Sequence, residues 1–413
     1  MVWTIGNEVG NKAAYAGTEA VTGTPVAATH QWLGELSITK TQDLVTAEEA
    51  TGGYHRQVTP QLGLPTFAGT YAENLTFESL PIHMQYALKA GAAGVGDSET
   101  VEGFTYAKSP DFNRDDIASA TVRYGIDGLA WMSTGVRHNE FTINIDVDDA
   151  DGVWKFNSNL AVGSKQEITE FDGVATGGTT TTVTMTGASW TVDEHAGKFV
   201  FVDFGTHIGD VRLIASNTED ELTVDEAFDT APAAGTVFRI EGNLPSIAVP
   251  DYEKIPTYGT MVFIDEVGSI GETLITDRII NVSLSVNTNR TTKRFLDNPS
   301  DQVSKRSGRG AQAITGSIRV ELDRRDEYVA WQNLQERSLR IEQLGSVIDD
   351  TACTTKEAYI ELPRVAFGTP TEDARENNMT LTVPFTAYLP EAEPILTIGA
   401  KNEIANLDSP VNP

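Results

Sequence analysis

In RIINVSLSV (278–286) apolar and polar side chains alternate from Ile280 onward, and the same two-residue period runs through ELSITK (35–40), SATVRYG (119–125), EFTINIDV (140–147) and NMTLTVPFTAYL (378–389). A period of two puts every apolar side chain on one side of an extended strand, so these segments predict strands buried on one face and wet on the other. More than a dozen segments of this kind recur along the chain. Helical spacing is confined to LPIHMQYALKAG (80–91), with Pro81 near a first turn and Gly91 at its end, and to RRDEYVAWQNLQ (324–335). The expected class is all-β with two short helices.

Those two helices stand in equivalent places of two similar halves. LGELSITK (33–40) leads through a long polar loop to FAGTYAENL (67–75) and then a helix, while IINVSLSV (279–286) leads through a second long loop to AITGSIRVEL (313–322) and again a helix. Leu36 precedes Gly69 by 33 positions and Val282 precedes Gly316 by 34. Each helix then leads toward a strand, turn and strand, EFTINIDVDDADGVWKFNSNL (140–160) in one half and AYIELPRVAF (358–367) with NMTLTVPFTAYL in the other. Between the halves, GGTTTT (177–182) and EGNLP (241–245) bracket strands of a different character. The expected division is a first copy over 1–167, a small inserted β-domain over 168–242, and a second copy over 243–413.

Composition narrows the function. With 59 acidic and 30 basic residues the chain carries a formal charge of −29, which repels phosphate backbones and anionic lipid and disfavours gripping nucleic acid. The same surplus of carboxylates is compatible with a halophilic source. Apolar runs such as GTMVFI (259–264) are far shorter than the ~20 residues of a membrane helix, and MVWTIGNEVGNK lacks the basic start and apolar core of a signal peptide, so assembly in a cytoplasm without membrane insertion is expected. A single cysteine, Cys353, excludes an intrachain disulfide or a thiolate zinc cluster.

Catalytic and metal signatures fail in turn. Asp146, Asp148, Asp149 and Asp151 ahead of Gly152 suggest half a calcium loop, but aligning Gly152 with the sixth loop position puts Val147 first and Ser158 twelfth, where carboxylates are required. Asp151-Gly152 between alternating strands reads instead as a type I′ hairpin turn. His30, His55, His83, His138, His195 and His207 are scattered, and no nucleophile elbow, P-loop or dinucleotide fingerprint occurs. The tryptophans, Trp3, Trp32, Trp131, Trp154, Trp190 and Trp331, are spread singly and do not cluster as a carbohydrate-binding face would. No enzyme, metal or cofactor is expected.

One local charge stands out. The second long loop, NRTTKRFLDNPSDQVSKRSGRG (289–310), carries Arg290, Lys293, Arg294, Lys305, Arg306 and Arg309 against Asp297 and Asp301, a balance of +4. Its counterpart TQDLVTAEEATGGYHR (41–56) is acidic, with Asp43, Glu48 and Glu49 against Arg56.

The opening GTEAVTGTPVAATHQWLGELSITK (17–40), the glycine-led GTYAENL and GSIRVEL, ASATVRYG (118–125), and LPRVAF followed by LTVPFTAYL resemble the tail tube (major tail) proteins of long-tailed, sheathless, siphovirus-type viruses of bacteria and archaea. The likeness covers both halves and omits the insert. It implies a β-sandwich closing toward a barrel with one flanking helix, six such domains to a ring, and rings stacked into the virion tube that conducts double-stranded DNA without binding it specifically. Two domains per chain imply a homotrimeric, pseudo-hexameric ring, with tape-measure and tail-end proteins as further partners and the insert on the outer surface. Residues 41–64 and 287–312 would reach the adjacent ring, making the basic and acidic residues above candidate contacts between rings. The competing expectation is a virion decoration or receptor- or carbohydrate-binding β-protein.

Overall fold

The computed structural model describes residues 13–49, 57–93, 100–106, 117–126, 129–205, 207–242, 244–245, 247, 252–292, 307–309, 313–349, 354–375, 378–388 and 394–404. The chain divides into two compact units, one of residues 16–121, 134–164 and 247–413, the other of residues 165–246 with 122–133 and 13–15.

The larger unit is a two-layer arrangement of antiparallel strands. Its first half runs β1 (Glu35–Thr41), β2 (Leu44–Glu49), β3 (Gln57–Leu62), β4 (Thr66–Asn74), helix α1 (Ser79–Met84), then β5 (Leu129–Asp146), of which residues 134–146 belong to this unit, and β6 (Lys155–Ala161). The second half runs β7 (Ile279–Asn287), β8 (Arg290–Thr292), β9 (Ser307–Arg309), β10 (Ala313–Glu321), helix α2 (Asp326–Gln332), β11 (Glu336–Asp349), β12 (Thr354–Phe367), β13 (Thr371–Arg375), β14 (Asn378–Ala387) and β15 (Leu396–Asn402). The same succession occurs twice: β1 pairs with β4 and β4 with β6, as β7 pairs with β10 and β10 with β14. Each long connection expected as a loop is a two-strand ribbon, β2 on β3 and β8 on β9.

The two halves join through β5 and β7, which pair from Glu140↔Asn287 to Asp146↔Asn281. One sheet of eight strands results, in the order β1, β4, β6, β5, β7, β10, β14, β13. A second sheet runs from strand Thr100–Tyr106 through β15, β12 and β11 to strand Met261–Glu266. The end of β12 crosses to pair with β14, tying the sheets together.

The alternation decides which side of each strand is dry. Leu36, Ile38, Tyr71, Phe141, Ile143, Phe156, Leu284, Val286, Ile318 and Phe385 are all buried beneath the eight-strand sheet, each contributing about 1.5–3 kcal/mol by leaving water. Gly316 is glycine for a packing reason: a Cβ there would lie 2.3 Å from Cζ of Phe385, whose ring covers the strand.

The first helix is shorter than its sequence period suggests. After Met84 the hydrogen bonds tighten to three-residue turns, Tyr86 N to His83 O and Ala87 N to Met84 O, and the chain enters a strand at Lys89. Lys89 and Ala90 are drawn into pairing with Thr105 and Phe104, so sheet hydrogen bonds displace the last helical turn. Reciprocal bonds between Thr76 and Ser79 fix the entry, Thr76 N to Ser79 Oγ at 3.0 Å and Ser79 N to Thr76 Oγ1 at 2.8 Å.

The smaller unit is a seven-stranded sheet ordered Thr169–Val174, Val237–Glu241, Phe199–Phe204, Val211–Asn217, Glu221–Val224, Thr182–Thr184, Gly177–Thr179. Val200, Val202, Ile214, Leu222, Phe238 and Ile240 form its core, with Trp190 and Phe228 buried beside them. Its ends meet, since Thr169 pairs with Glu241 and Gly242 N bonds Ile168 O at 3.0 Å.

Candidate functional site

The wet face of the eight-strand sheet is paved with small, mostly neutral side chains. In register across seven strands one row reads Glu35, Ala72, Asn157, Thr142, Ser285, Thr315, Thr386. The row beside it reads Ser37, Thr70, Asn159, Glu140, Asn287, Ala313, and the row on the other side Asn74, Lys155, Asn144, Ser283, Ser317, Pro384. Only Glu35, Glu140 and Lys155 among these nineteen positions ionise, and every position is exposed or half-buried. Lys155 is neutralised by Asp149 at 2.6 Å and Asp151 at 3.1 Å.

A face of hydroxyls and amides binds water well and offers few fixed charges to a passing polyanion, Glu35 and Glu140 in these rows and Asp146 and Arg319 in the next. The acidic character of the chain lies elsewhere. On the outer side of the second sheet Arg340 sits among Glu342 at 2.7 Å, Glu357 at 3.0 Å and Glu361, and its guanidinium lies over Tyr359, 5.1 Å from the ring centre.

Sheet edges border this face. Among the described residues β1 pairs only with β4, and β13 only with β14, so these two strands bound the described sheet. Glu35, Ser37 and Thr39 on β1 and Thr371, Glu372, Asp373 and Ala374 on β13 are exposed. Asp373 is held by Arg319 at 3.1 Å and Arg375 by Asp148.

Beneath the face lies a polar cluster that sequence inspection left as scattered residues. His83 Nε2 is 2.7 Å from Glu73 Oε2, His83 Nδ1 is 3.3 Å from His138 Nε2, and His138 Nδ1 is 2.8 Å from Ser158 Oγ. The Tyr71 hydroxyl donates to the same Glu73 oxygen and accepts from Gly34 N at 3.0 Å. Burial alone would raise the Glu73 pKa, but the His83 imidazole and the hydroxyls of Ser79 and Tyr71 hold it below the usual carboxylate value. Burial pushes the His138 pKa well below that of a free imidazole, with His83 adding to the effect, and pushes His30 down to about 3.

A serine, two histidines and a carboxylate in line have the order of a hydrolase relay. Here Ser158 is 6% exposed and His138 fully buried, with Trp32 stacked on His138 at 5.6 Å and Phe156 edge-on at 5.1 Å. A nucleophile must reach its substrate, and this hydroxyl is turned into the core. The cluster pins α1 to the inner face of β4. In the second half Arg278 does the same for α2, reaching both oxygens of buried Glu327 at 3.2 and 3.1 Å. The signal available in the sequence was phase: Gly69, Tyr71 and Glu73 share the inward side of one strand, so a carboxylate there requires a buried partner.

The aspartate run is a hairpin connection but not a two-residue turn. Gly152 has φ +61°, whereas Asp151 is not among the residues of positive φ that a type I′ turn requires. The β5–β6 pairing ends at Asn144↔Lys155. Val153 bridges to Pro256 and Trp154 N bonds Ile255 O at 2.9 Å, which draws this side of the connection away and lengthens it. Asp148 N to Asp146 Oδ1 at 2.9 Å and Asp151 N to Asp149 Oδ1 at 3.1 Å are local turn bonds. Among the described residues no group of three metal-ligating side chains occurs.

Of the charged arm residues, Arg290 and Arg309 face each other at the base of the β8–β9 ribbon, and Arg290 is 7% exposed with its N–H on Asn139 Oδ1 at 2.6 Å. Glu48 and Glu49 lie on β2 opposite Val58 and Gln57. Lys293, Arg294, Lys305 and Arg306 lie outside the described residues, as does Cys353. No helix among the described residues is long and apolar enough to cross a membrane. No protein-family model matches the chain, and no curated protein matches it.

Proposed function

We propose that this chain is a structural virion protein, the building block of a viral tail tube through which double-stranded DNA passes. The observation that carries the reading is the eight-strand sheet with a dry apolar side and a wet side of serine, threonine, asparagine and alanine. A conduit wall needs a surface that stays hydrated yet forms no ion pairs with phosphate, because each neutralised phosphate adds to the free energy of retention. A wall built from this face would be nearly neutral despite the acidic chain. Sliding is then eased by the lack of grip and not by repulsion.

The repeated succession of strands, ribbon and helix supports a duplicated domain, and hence a ring of three chains. Eight strands per chain make 24 in such a ring, and at ~4.8 Å per strand these span a diameter of at least about 37 Å, which strand tilt widens further. Two chains would give about 24 Å by the same measure, which side chains on both walls narrow below the width of a duplex. The protein acts in the virion tail after assembly in the host cytoplasm. It needs no cofactor, and its partners are its own copies, the tape-measure and tail-end proteins, and DNA in transit.

Electron microscopy of concentrated protein tests this directly. Rings or stacked tubes with a central channel are expected; a protein that stays monomeric at all concentrations, or binds glycans as single copies, supports a decoration or receptor-binding role instead.

A further inference from the structure

A lysine, an asparagine and a glutamate meet inside the larger unit, at the start of helix α1. β12 and β15 pair through Ile360↔Ile398, Ala358↔Ala400 and Glu357↔Lys401. One place further along each strand, Lys356 and Asn402 continue the inward column of Ala358 and Ala400, and they are 7% and 1% exposed. Side chains opposite one another on antiparallel strands begin about 5 Å apart, within reach of a lysine turned toward its neighbour. Glu78, just ahead of α1, completes the group: it is buried, and its Oε1 lies 2.6 Å from Lys356 Nζ.

The carboxamide is fixed at both ends. Ile404 N donates to Asn402 Oδ1 at 2.9 Å, and Asn402 Nδ2 donates to Phe77 O at 2.8 Å. The first bond draws electrons from Cγ and stands ready for a negative charge on the oxygen. Apolar groups wall the site. Gly345 lets the wholly buried Phe77 ring lie along the lysine stem, since a Cβ there would be 2.6 Å from Phe77 Cε2 and 3.0 Å from Lys356 Cβ.

We propose that the folded chain joins Lys356 to Asn402 by an amide bond of its own making, with Glu78 as the proton carrier. Glu78 takes a proton from the Lys356 ammonium, and the freed amine attacks Asn402 Cγ while Ile404 N–H holds the oxyanion. The Nζ–Cγ bond forms and the Cγ–Nδ2 bond breaks. Two of the three ammonium protons pass through Glu78 to the departing nitrogen, which leaves as ammonium, and one stays on the new amide. Nothing is oxidised or reduced, and no further reactant is needed. Burial works to lower the Lys356 pKa, but Glu78, with Glu253 at 3.5 Å and Glu403 at 3.6 Å, raises it overall, while burial raises that of Glu78. The ion pair is therefore the resting state, and the amine exists only as its proton crosses to Glu78. A slow rate suffices, because each molecule reacts once and the reacting groups are already held together. Nothing in this chemistry depends on the tube reading.

Mass spectrometry of the purified full chain tests it. The intact mass is expected to be lower than that of the sequence by one ammonia, and a proteolytic digest to contain a branched peptide joining the segments of Lys356 and Asn402. Lys356→Arg and Asn402→Ala should each restore the unmodified mass. Glu78→Gln, folded by circular dichroism, should keep that mass through prolonged incubation, and cross-linking in this variant would overturn the role of Glu78. The full sequence mass in incubated wild-type protein overturns the proposal and leaves a buried ion pair beside a carboxamide. Ammonia lost without a branched peptide also overturns it. Both wild-type readings stand even where a variant fails to fold.

Discussion

His83 Nε2 approaches Glu73 Oε2 to 2.7 Å in a pocket where the two side chains are 1% and 2% exposed, so helix α1 is bolted to β4 by a polar contact that water does not reach. Removing one partner leaves the other without compensation. Glu73→Ala is expected to destabilise the larger unit by about 3 kcal/mol in urea titrations. Glu73→Gln, which keeps the shape, should cost less.

The same cluster makes stability depend on acidity. His30 and His138 are held neutral in the fold, with pKa values lowered to about 3 and well below the free value, whereas an unfolded imidazole takes a proton near 6.5. Below pH 6.5 the unfolded chain therefore binds more protons, and stability falls as pH falls. Depression of the Glu73 pKa acts in the same direction. Each imidazole contributes up to about 1.4 kcal/mol per pH unit between 6.5 and its folded value. Melting temperature measured from pH 7 down to pH 4 should drop steeply, and His30→Phe should flatten the curve.

Charge placed on the neutral pavement should convert a passage into a trap. Thr142→Lys, Ser285→Lys and Thr315→Lys lie in one row of adjacent strands, on exposed or half-buried positions that the core does not use. The triple variant should fold and assemble, and its tubes should retain duplex DNA with an affinity whose logarithm falls by about 0.9 per contacted phosphate for each decade of salt. Wild-type tubes should show no such retention.

The ribbon arms are expected to act between rings. Lys305, Arg306 and Arg309 changed together to glutamate should leave folded rings that no longer stack into tubes, seen by microscopy and sedimentation. Exposed ion pairs add only ~0.2–1 kcal/mol each, but repetition around a ring multiplies them. Tubes of normal length with altered DNA passage would place the ribbon in the channel.

The insert should be removable. Its ends already lie side by side through Thr169↔Glu241, so a short Gly/Ser linker can replace residues 168–242 without stretching the remaining chain. The excised protein is expected to assemble, and residues 165–246 alone to show a cooperative melt from the core around Phe238 and Ile214. Loss of assembly in a folded variant would assign the insert a contact between subunits.

Much of this architecture was legible from periodicity. The strands expected at 278–286 and 378–389 are strands in the structure, because a half-buried strand writes its burial into every second residue. The β5–β7 joint was not legible: its strands lie more than a hundred residues apart and pair through backbone groups that every residue carries. The buried histidines escaped for a related reason, since His30, His83 and His138 come from three separate elements and nothing local marks their meeting. The ribbons do not show in the sequence because β8 and β9 are three residues long, too short for a period, and β2 and β3, six residues each, read LVTAEE and QVTPQL without strict alternation.

On the tube reading, the pairing of β5 with β7 would also set the kinetics of growth. A seam closed within one chain forms at an effective concentration near millimolar whatever the amount of protein, because its two sides cannot diffuse apart. In a ring of three such chains half of the seams would never wait for a collision, and nucleation would be at most third order in protein where six separate domains would make it sixth. On the tube reading, joining two domains in one chain would let a tube begin at low copy number in the cell.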